Sequence, residues 1–224
     1  MLLPLVPSVH PSAHSAEVGL AARQGLCLSI LRRDHQSCRF CGLPAGSWQD
    51  VFHLNHDHDD WSADNLAAAC PLCHGVQHIG SDSADREMRV IWLPEITQNA
   101  LNVIVRGIHL LLYNGGVPPT LDTRPIIDAP DLSCAWRAYA ALNRRAVETH
   151  SIIDTHSPRD LAAGLRALPA AGYADRARIL GGLRLLHRGR CLRSGRDTYP
   201  LQLGAWAHPA GDHSVSQEPS SCLA

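Results

Sequence analysis

Four cysteines fall into two pairs, Cys38-Arg39-Phe40-Cys41 and Cys70-Pro71-Leu72-Cys73. A two-residue gap lets both thiolates of a pair reach one ion at about 2.3 Å, while backbone N–H groups of the same turn point at the sulfurs. Two such pairs complete a closed tetrahedral shell, so Cys38, Cys41, Cys70 and Cys73 are the expected ligands of one zinc ion. With no open coordination position, that zinc is structural rather than catalytic. Residues 42–69, between the pairs, outnumber the roughly 15–20 of a simple zinc ribbon, so a further unit is inserted there. A redox or disulfide site explains one pair but not two. The other cysteines, Cys27, Cys134, Cys191 and Cys222, are scattered, which suits a metal in a reducing compartment better than a disulfide framework.

The insert and its flank are crowded with histidine: His53, His56, His58, His74 and His78 are five of the 14 in the chain. Leu31-Arg32-Arg33-Asp34 precedes the first pair and Cys41-Gly42 closes it. A histidine ends a strand, and Asn65-Leu66 and Cys70-Pro71-Leu72-Cys73-His74 follow. On these pieces, residues 31–78 resemble the HNH, or ββα-metal, nucleases. The resemblance implies His53 as the general base that takes a proton from water attacking a phosphodiester. Asn65 and His74 would then help hold a second, charge-stabilising divalent ion.

The chain departs from that pattern just before His53. The family places an Asp or His ligand there, whereas this chain has Phe52, which cannot ligate; His56, Asp57 or His58 would have to substitute. The glycines usual in the connecting loop are replaced by Asp57-His58-Asp59-Asp60, which repels a phosphate backbone unless a cation intervenes. In the alternative reading His53 and Asn65 fix the loop by hydrogen bonds, and His74 and His78 support the zinc ligands or face solvent. Catalytic geometry tolerates little loss, so the balance favours a retained scaffold over an active DNA endonuclease.

A second resemblance covers more of the chain, roughly residues 1–206. Leu2-Leu3-Pro4-Leu5, the LRRD…CRFCG segment and CPLCHGVQHIG are similar to the DotN (IcmJ) family of type IVB secretion systems. So are Ile91-Trp92-Leu93-Pro94-Glu95-Ile96-Thr97-Gln98-Asn99-Ala100-Leu101-Asn102, Leu183-Arg184-Leu185-Leu186 and Tyr199-Pro200-Leu201-Gln202-Leu203-Gly204-Ala205-Trp206. Members are zinc-bearing subunits of the inner-membrane coupling complex. They bind an extended C-terminal segment of the coupling ATPase, DotL, on the cytoplasmic side and help recruit substrates for export. The resemblance therefore implies a non-enzymatic adaptor, cytoplasmic and held at the inner membrane through its partners, in a secretion or conjugation system. A third reading is a zinc module that binds nucleic acid through arginine-rich helices without cutting it.

These groups need elements to hold them. The chain of 224 residues is 45% apolar with a net charge of −1, which permits a packed core and argues against a nucleic-acid binder over its whole surface. All 20 basic residues are arginine. The apolar opening from Met1 to Pro7 lacks a positive n-region, so it is not a secretory signal. The most apolar later stretch, Leu101 to Tyr113, contains Arg106 and His109 and falls short of the roughly 20 apolar residues of a membrane span.

Pro4, Pro7 and Pro11 keep residues 1–14 extended, and Ser15 caps a helix to Arg33 with Leu20, Cys27, Leu28 and Leu31 on one face. Gly80 to Glu87 reads as a loop, and Met88 to Leu93 as a strand. Leu101, Ile104, Val105, Ile108, Leu111 and Leu112 form the apolar stripe of a helix ended by Gly115-Gly116, with His109 structural or exposed. After a Gly- and Pro-rich connection to Pro130, two or three helices are expected. The first carries Trp136, Tyr139, Ala140 and Val147; the second is opened by Ser157-Pro158 and runs through Arg166; the third spans Tyr173 to Leu186.

Residues 132–200 hold 12 Arg against Glu148, Asp154, Asp160, Asp175 and Asp197, either a solvated surface or a docking face for an acidic partner or nucleic acid. The expected architecture is α+β, an HNH-like ββα zinc module embedded in a mainly helical protein. Its parts are an N-terminal segment and helix (1–37), the module (38–93), a helical region (94–206) and a disordered tail (207–224).

Overall fold

A computed structural model describes residues 2–9, 20–122 and 124–208. The protein is a mixed α+β structure whose described strands form three two-stranded antiparallel ladders. The first pairs β1 (Asp50–His53) with β2 (Leu66–Ala69), Asp50 opposite Ala69 and His53 opposite Leu66. All eight residues are buried, because each face of the hairpin meets a different layer. Val51, Leu66 and Ala68 pack on Cys27, Ile30 and Leu31 of α1 (Leu20–Arg33). Phe52 and Ala69 face the other way, into the main core. Side chains alternate across a strand, so the adjacent Phe52 and His53 are sent to opposite faces. The expected helix from Ser15 begins at Leu20 within the described residues, and its proposed cap lies outside them.

The hairpin leads directly into α2 (Pro71–Val76), with Cys70 at its N-cap and Pro71 in its first turn. Proline is pre-organised for that position and has no N–H to leave unsatisfied. The polar stretch read as a loop contains one helical turn, α3 (Ala84–Glu87), before β3 (Met88–Trp92). Thr97 then caps α4 (Gln98–Asn114) by accepting from the Ala100 N–H, and Gly115 and Gly116, the latter at φ +73°, end it. Pro130–Ile153 forms α5, and Ser157 caps α6 (Pro158–Arg166) by accepting from the Asp160 N–H.

The third expected helix, Tyr173 to Leu186, is not there. Two short turns, α7 (Ala170–Ala174) and α8 (Arg176–Ile179), lead into β4 (Leu183–His187), so the stretch read as helical contains a strand. Gly181-Gly182 breaks the helix, and Gly182 adopts φ +90° with Trp92 packed where a side chain would stand. Beyond it, Leu183 and Leu185 alternate into the main core while Leu186 faces the opposite cluster, a period of two that a strand accommodates and a helix does not. β4 pairs with β3, Met88 opposite His187 and Trp92 opposite Leu183. It thereby stitches the C-terminal part to the cysteine-bearing part. A small ladder of β5 (Leu192–Arg193) and β6 (Arg196–Asp197) precedes α9 (Tyr199–Ala207). The tail from residue 209 onward lies outside the described residues.

α4 is buried along Gln98, Leu101, Asn102, Val105, His109 and Leu112. Ile104 and Leu111, expected in its core stripe, are 45% and 43% exposed. The helix is rotated so that polar groups with specific partners take core positions. Gln98 donates to the Leu185 carbonyl at 2.9 Å and accepts from the Leu185 N–H at 2.7 Å, meeting both backbone groups of β4 at that residue. His109 is buried and pairs with the Tyr199 hydroxyl at 2.8 Å. Among the described residues, no helix is long and apolar enough to cross a membrane.

Candidate metal centre

The fold brings Cys38, Cys41, Cys70 and Cys73 together, with one sulfur from each inside 4.8 Å of all the others. Among the described residues this is the one group of three or more His, Cys, Asp or Glu side chains able to share an ion. Two turns deliver the sulfurs. After α1 the chain closes a tight knuckle: the Cys38 N–H donates to the Leu43 carbonyl, and the Gly42 N–H to the Cys38 carbonyl, both at 2.9 Å. Gly42, at φ +74°, makes that reversal. The second pair comes from the β2–α2 junction, where Cys70 occupies the N-cap position and Cys73 lies in the first turn.

Asp34 joins the two. Its buried carboxylate accepts from the Ala68 N–H at 2.9 Å, from Arg33 at 2.9 Å and from Arg39 at 3.0 Å. Burial alone would push this carboxyl up, but Arg33, the Ala68 N–H and Arg39 hold it below the usual range.

The chemistry of the donor set is consistent with zinc. Four soft sulfurs in a buried tetrad leave no position for water, and Cys41 is the most exposed of them at 7%. Without a cation, thiols this close cannot all ionise. Hydrogen bonding, first with Cys38 and then with Cys70 and Cys73, pulls the Cys41 thiol down. Hydrogen bonding with Cys38 and Cys41, together with burial, pushes Cys70 well up. Cys38, Cys41, Cys70 and Cys73 would hold a divalent ion as thiolates, which would resolve that conflict with release of their protons.

The histidines form a separate cluster. Ring centroids run from His53 to His58 at 5.0 Å, His58 to His78 at 5.5 Å and His78 to His74 at 4.4 Å. The Phe52 ring stands among them, edge-on to His56, His74 and His78 at 5.7, 6.0 and 6.2 Å. Burial, reinforced by His74 and His58, pushes His78 down to about 2, and burial beside Arg176 takes His56 to about 4. Both rings are therefore neutral at physiological pH.

Asn65 is occupied locally: its carbonyl accepts from the Asn55 N–H and its amide donates to the Asp60 carbonyl, each at 2.8 Å. It ties the ends of the 55–65 loop together. Asp57 accepts from the Asp59 N–H at 2.9 Å, a turn inside the same loop. His53 packs its ring against Trp61 at 5.0 Å on the α1 side of the hairpin, whereas His74 lies on the Phe52 side, 3.8 Å from the Asp50 carboxylate.

The chain is similar to the Type 4 apparatus protein DotN of Legionella pneumophila. The two are 32% identical over 88 residues, 38% of this chain and 41% of that relative. The match thus spans about two fifths of the relative's length. No family model matches the chain.

Sequence reasoning missed the polar groups around the cysteines. Asn102 donates to the Cys73 sulfur and Arg106 to the Cys41 sulfur, both at 3.3 Å. Asn99 donates to the Leu3 and Phe40 carbonyls, strapping the N-terminal segment and the first knuckle onto α4. Asp50 is fully enclosed and pairs with Arg193 at 2.6 Å. The available signal was an amide at a core position of an apolar helix, which in a folded protein has a partner.

Five arginines of residues 132–200 pair with acids outside their own stretch. Arg145 pairs with Glu95, Arg159 with Asp82, Arg188 and Arg190 with Asp122, and Arg193 with Asp50.

Proposed function

We propose that this chain is a zinc-binding adaptor subunit of a type IVB secretion or conjugation coupling complex. It works at the cytoplasmic face of the inner membrane, binds the C-terminal segment of a DotL-like coupling ATPase and helps present substrates. The observation that carries this reading is the identity over 88 residues to the Type 4 apparatus protein DotN. The gathered cysteines add support, because a closed four-sulfur site does architectural work and offers no position for a reacting ligand.

We read residues 38–93 as an HNH-like ββα scaffold: the β1–β2 hairpin is followed by α2, with one cysteine pair on each side. Two observations favour a scaffold over a nuclease. Phe52 places a ring among the histidines where the nuclease pattern has a ligand, and Asn65 spends both ends of its amide on the loop.

The test is co-purification of the zinc-loaded chain with the C-terminal segment of the coupling ATPase from the same genome. A stoichiometric complex that survives gel filtration is expected, and none at micromolar concentrations sinks the adaptor reading. Supercoiled plasmid incubated with Mg²⁺, Mn²⁺ or Ni²⁺ should stay intact; nicking that disappears in His53→Ala would establish the endonuclease instead.

A further inference from the structure

We propose that Asn102 and Arg106 of α4 are positioning residues of the metal centre, and that Arg106 governs how fast the ion leaves. The proposal rests on the reading that the four cysteines hold zinc. The two side chains lie four residues apart on one face of α4. Each reaches a different cysteine pair, Asn102 to Cys73 and Arg106 to Cys41, both at 3.3 Å. A helix distant in sequence thus touches both halves of the site.

Asn102 is aimed by its surroundings. It is fully buried, and its carbonyl accepts from Gln98 at 2.9 Å, which leaves its amide N–H₂ to face the sulfur. Gln98 is in turn locked to the Leu185 backbone. The sulfur therefore sits at the end of a chain of hydrogen bonds that runs through α4 to β4.

Arg106 has a different effect because it carries charge. Four thiolates around a divalent ion leave a net double negative charge, and a guanidinium on one sulfur halves it. A charge-assisted bond to a thiolate in a site with little water is stronger than its neutral counterpart. Cys41 is also the most exposed ligand, so Arg106 stands over the edge where a competing ligand or a thiol reagent first arrives. Partners of this kind around metal ligands typically change metal affinity by about 10–100-fold when removed.

The experiment compares the zinc-loaded wild-type chain with Arg106→Met and Arg106→Lys. Zinc transfer to an excess of a colorimetric chelator should be roughly tenfold faster in Arg106→Met, with Arg106→Lys between the two. Cobalt-substituted protein supplies a signature that a loosened fold would not mimic. Loss of the N–H donor makes the Cys41 sulfur easier to oxidise and moves the sulfur-to-cobalt charge-transfer band to longer wavelength.

Wild-type protein that holds one zinc, with Arg106→Met releasing it within about twofold of the wild-type rate and the cobalt band unmoved, overturns the proposal. Should Arg106→Met fail to fold, Arg106→Gln carries the same test, with a smaller expected acceleration. Wild-type protein that holds no zinc would instead refute the reading beneath the proposal, a different and separately visible result.

Discussion

Cys70→Ser protein is expected to emerge without stoichiometric zinc and to have lost most of its cooperative folding transition. Cys70 is fully buried at the junction of β2 and α2, and the ion we propose it holds would tie that junction to the knuckle after α1. Structural zinc in small domains contributes about 10–16 kcal/mol, against a total stability of about 5–15 kcal/mol for an ordinary domain. Serine cannot replace the ligand, because its hydroxyl is hard, short and protonated at neutral pH. The three remaining thiols would be left in the main core beside Phe40, Leu72 and Val76 without the cation that reconciles them.

A loss of even 5 kcal/mol corresponds to a melting temperature lower by roughly 10–20 °C in a chain of this size. Elemental analysis and urea titration followed by near-ultraviolet circular dichroism measure both effects. Cys134→Ser is the control, since that thiol is free and exposed, and it should change neither. A Cys70→Ser protein that melts within about 5 °C of the parent would remove the metal from the account of this fold.

What could be read in advance follows from the range of each signal. The cysteine pairs were legible because their spacing is itself the geometry of a knuckle, and all four sulfurs meet. Helix α6 was legible from its cap, Ser157 followed by Pro158, and α5 from Trp136 and Tyr139, although Val147, read with them, is exposed. The strand β4 was not, because its Leu and Arg residues favour a helix and the decision is made by β3, 91 residues away at the pairing of Trp92 with Leu183.

The run Thr97-Gln98-Asn99-Ala100-Leu101-Asn102 stood out only through its resemblance to a family. The structure supplies its physical content: Thr97 caps α4, Gln98 binds β4, Asn99 straps the N-terminal segment and Asn102 faces Cys73. Thr97 acts locally, on the Ala100 N–H, but Gln98, Asn99 and Asn102 have partners distant in sequence, so no local pattern announces them. The partners of several arginines in residues 132–200 were likewise not legible, since they lie at Asp50, Asp82, Glu95 and Asp122.

Acidification from about pH 7 to about pH 5 is expected to lower the unfolding free energy by about 4 kcal/mol through His109 and His187 alone. Burial holds His109 down to about 3, and burial holds His187 to about 4 even though its Nε2–H donates to the Leu72 carbonyl at 2.8 Å. In the unfolded chain both titrate near 6.5. Between those values the unfolded state takes a proton that the folded state refuses, so stability falls as pH falls. At about pH 5 the gap from 6.5 is roughly one and a half units, close to 2 kcal/mol for each ring. His78, held near 2, adds to the loss with the same sign.

Acid also protonates the thiolates, so the histidine contribution has to be isolated. His109 allows this, because it bonds Tyr199 at 2.8 Å and touches no cysteine ligand in the hydrogen-bond network. His109→Gln can keep a bond to that hydroxyl yet cannot titrate. Its urea stability should drop about 2 kcal/mol less than the parent's over the same interval, at equal zinc content. If parent and variant lose stability in parallel, His109 is not the neutral buried ring that holds α4 against α9, and the acid sensitivity belongs to the sulfurs.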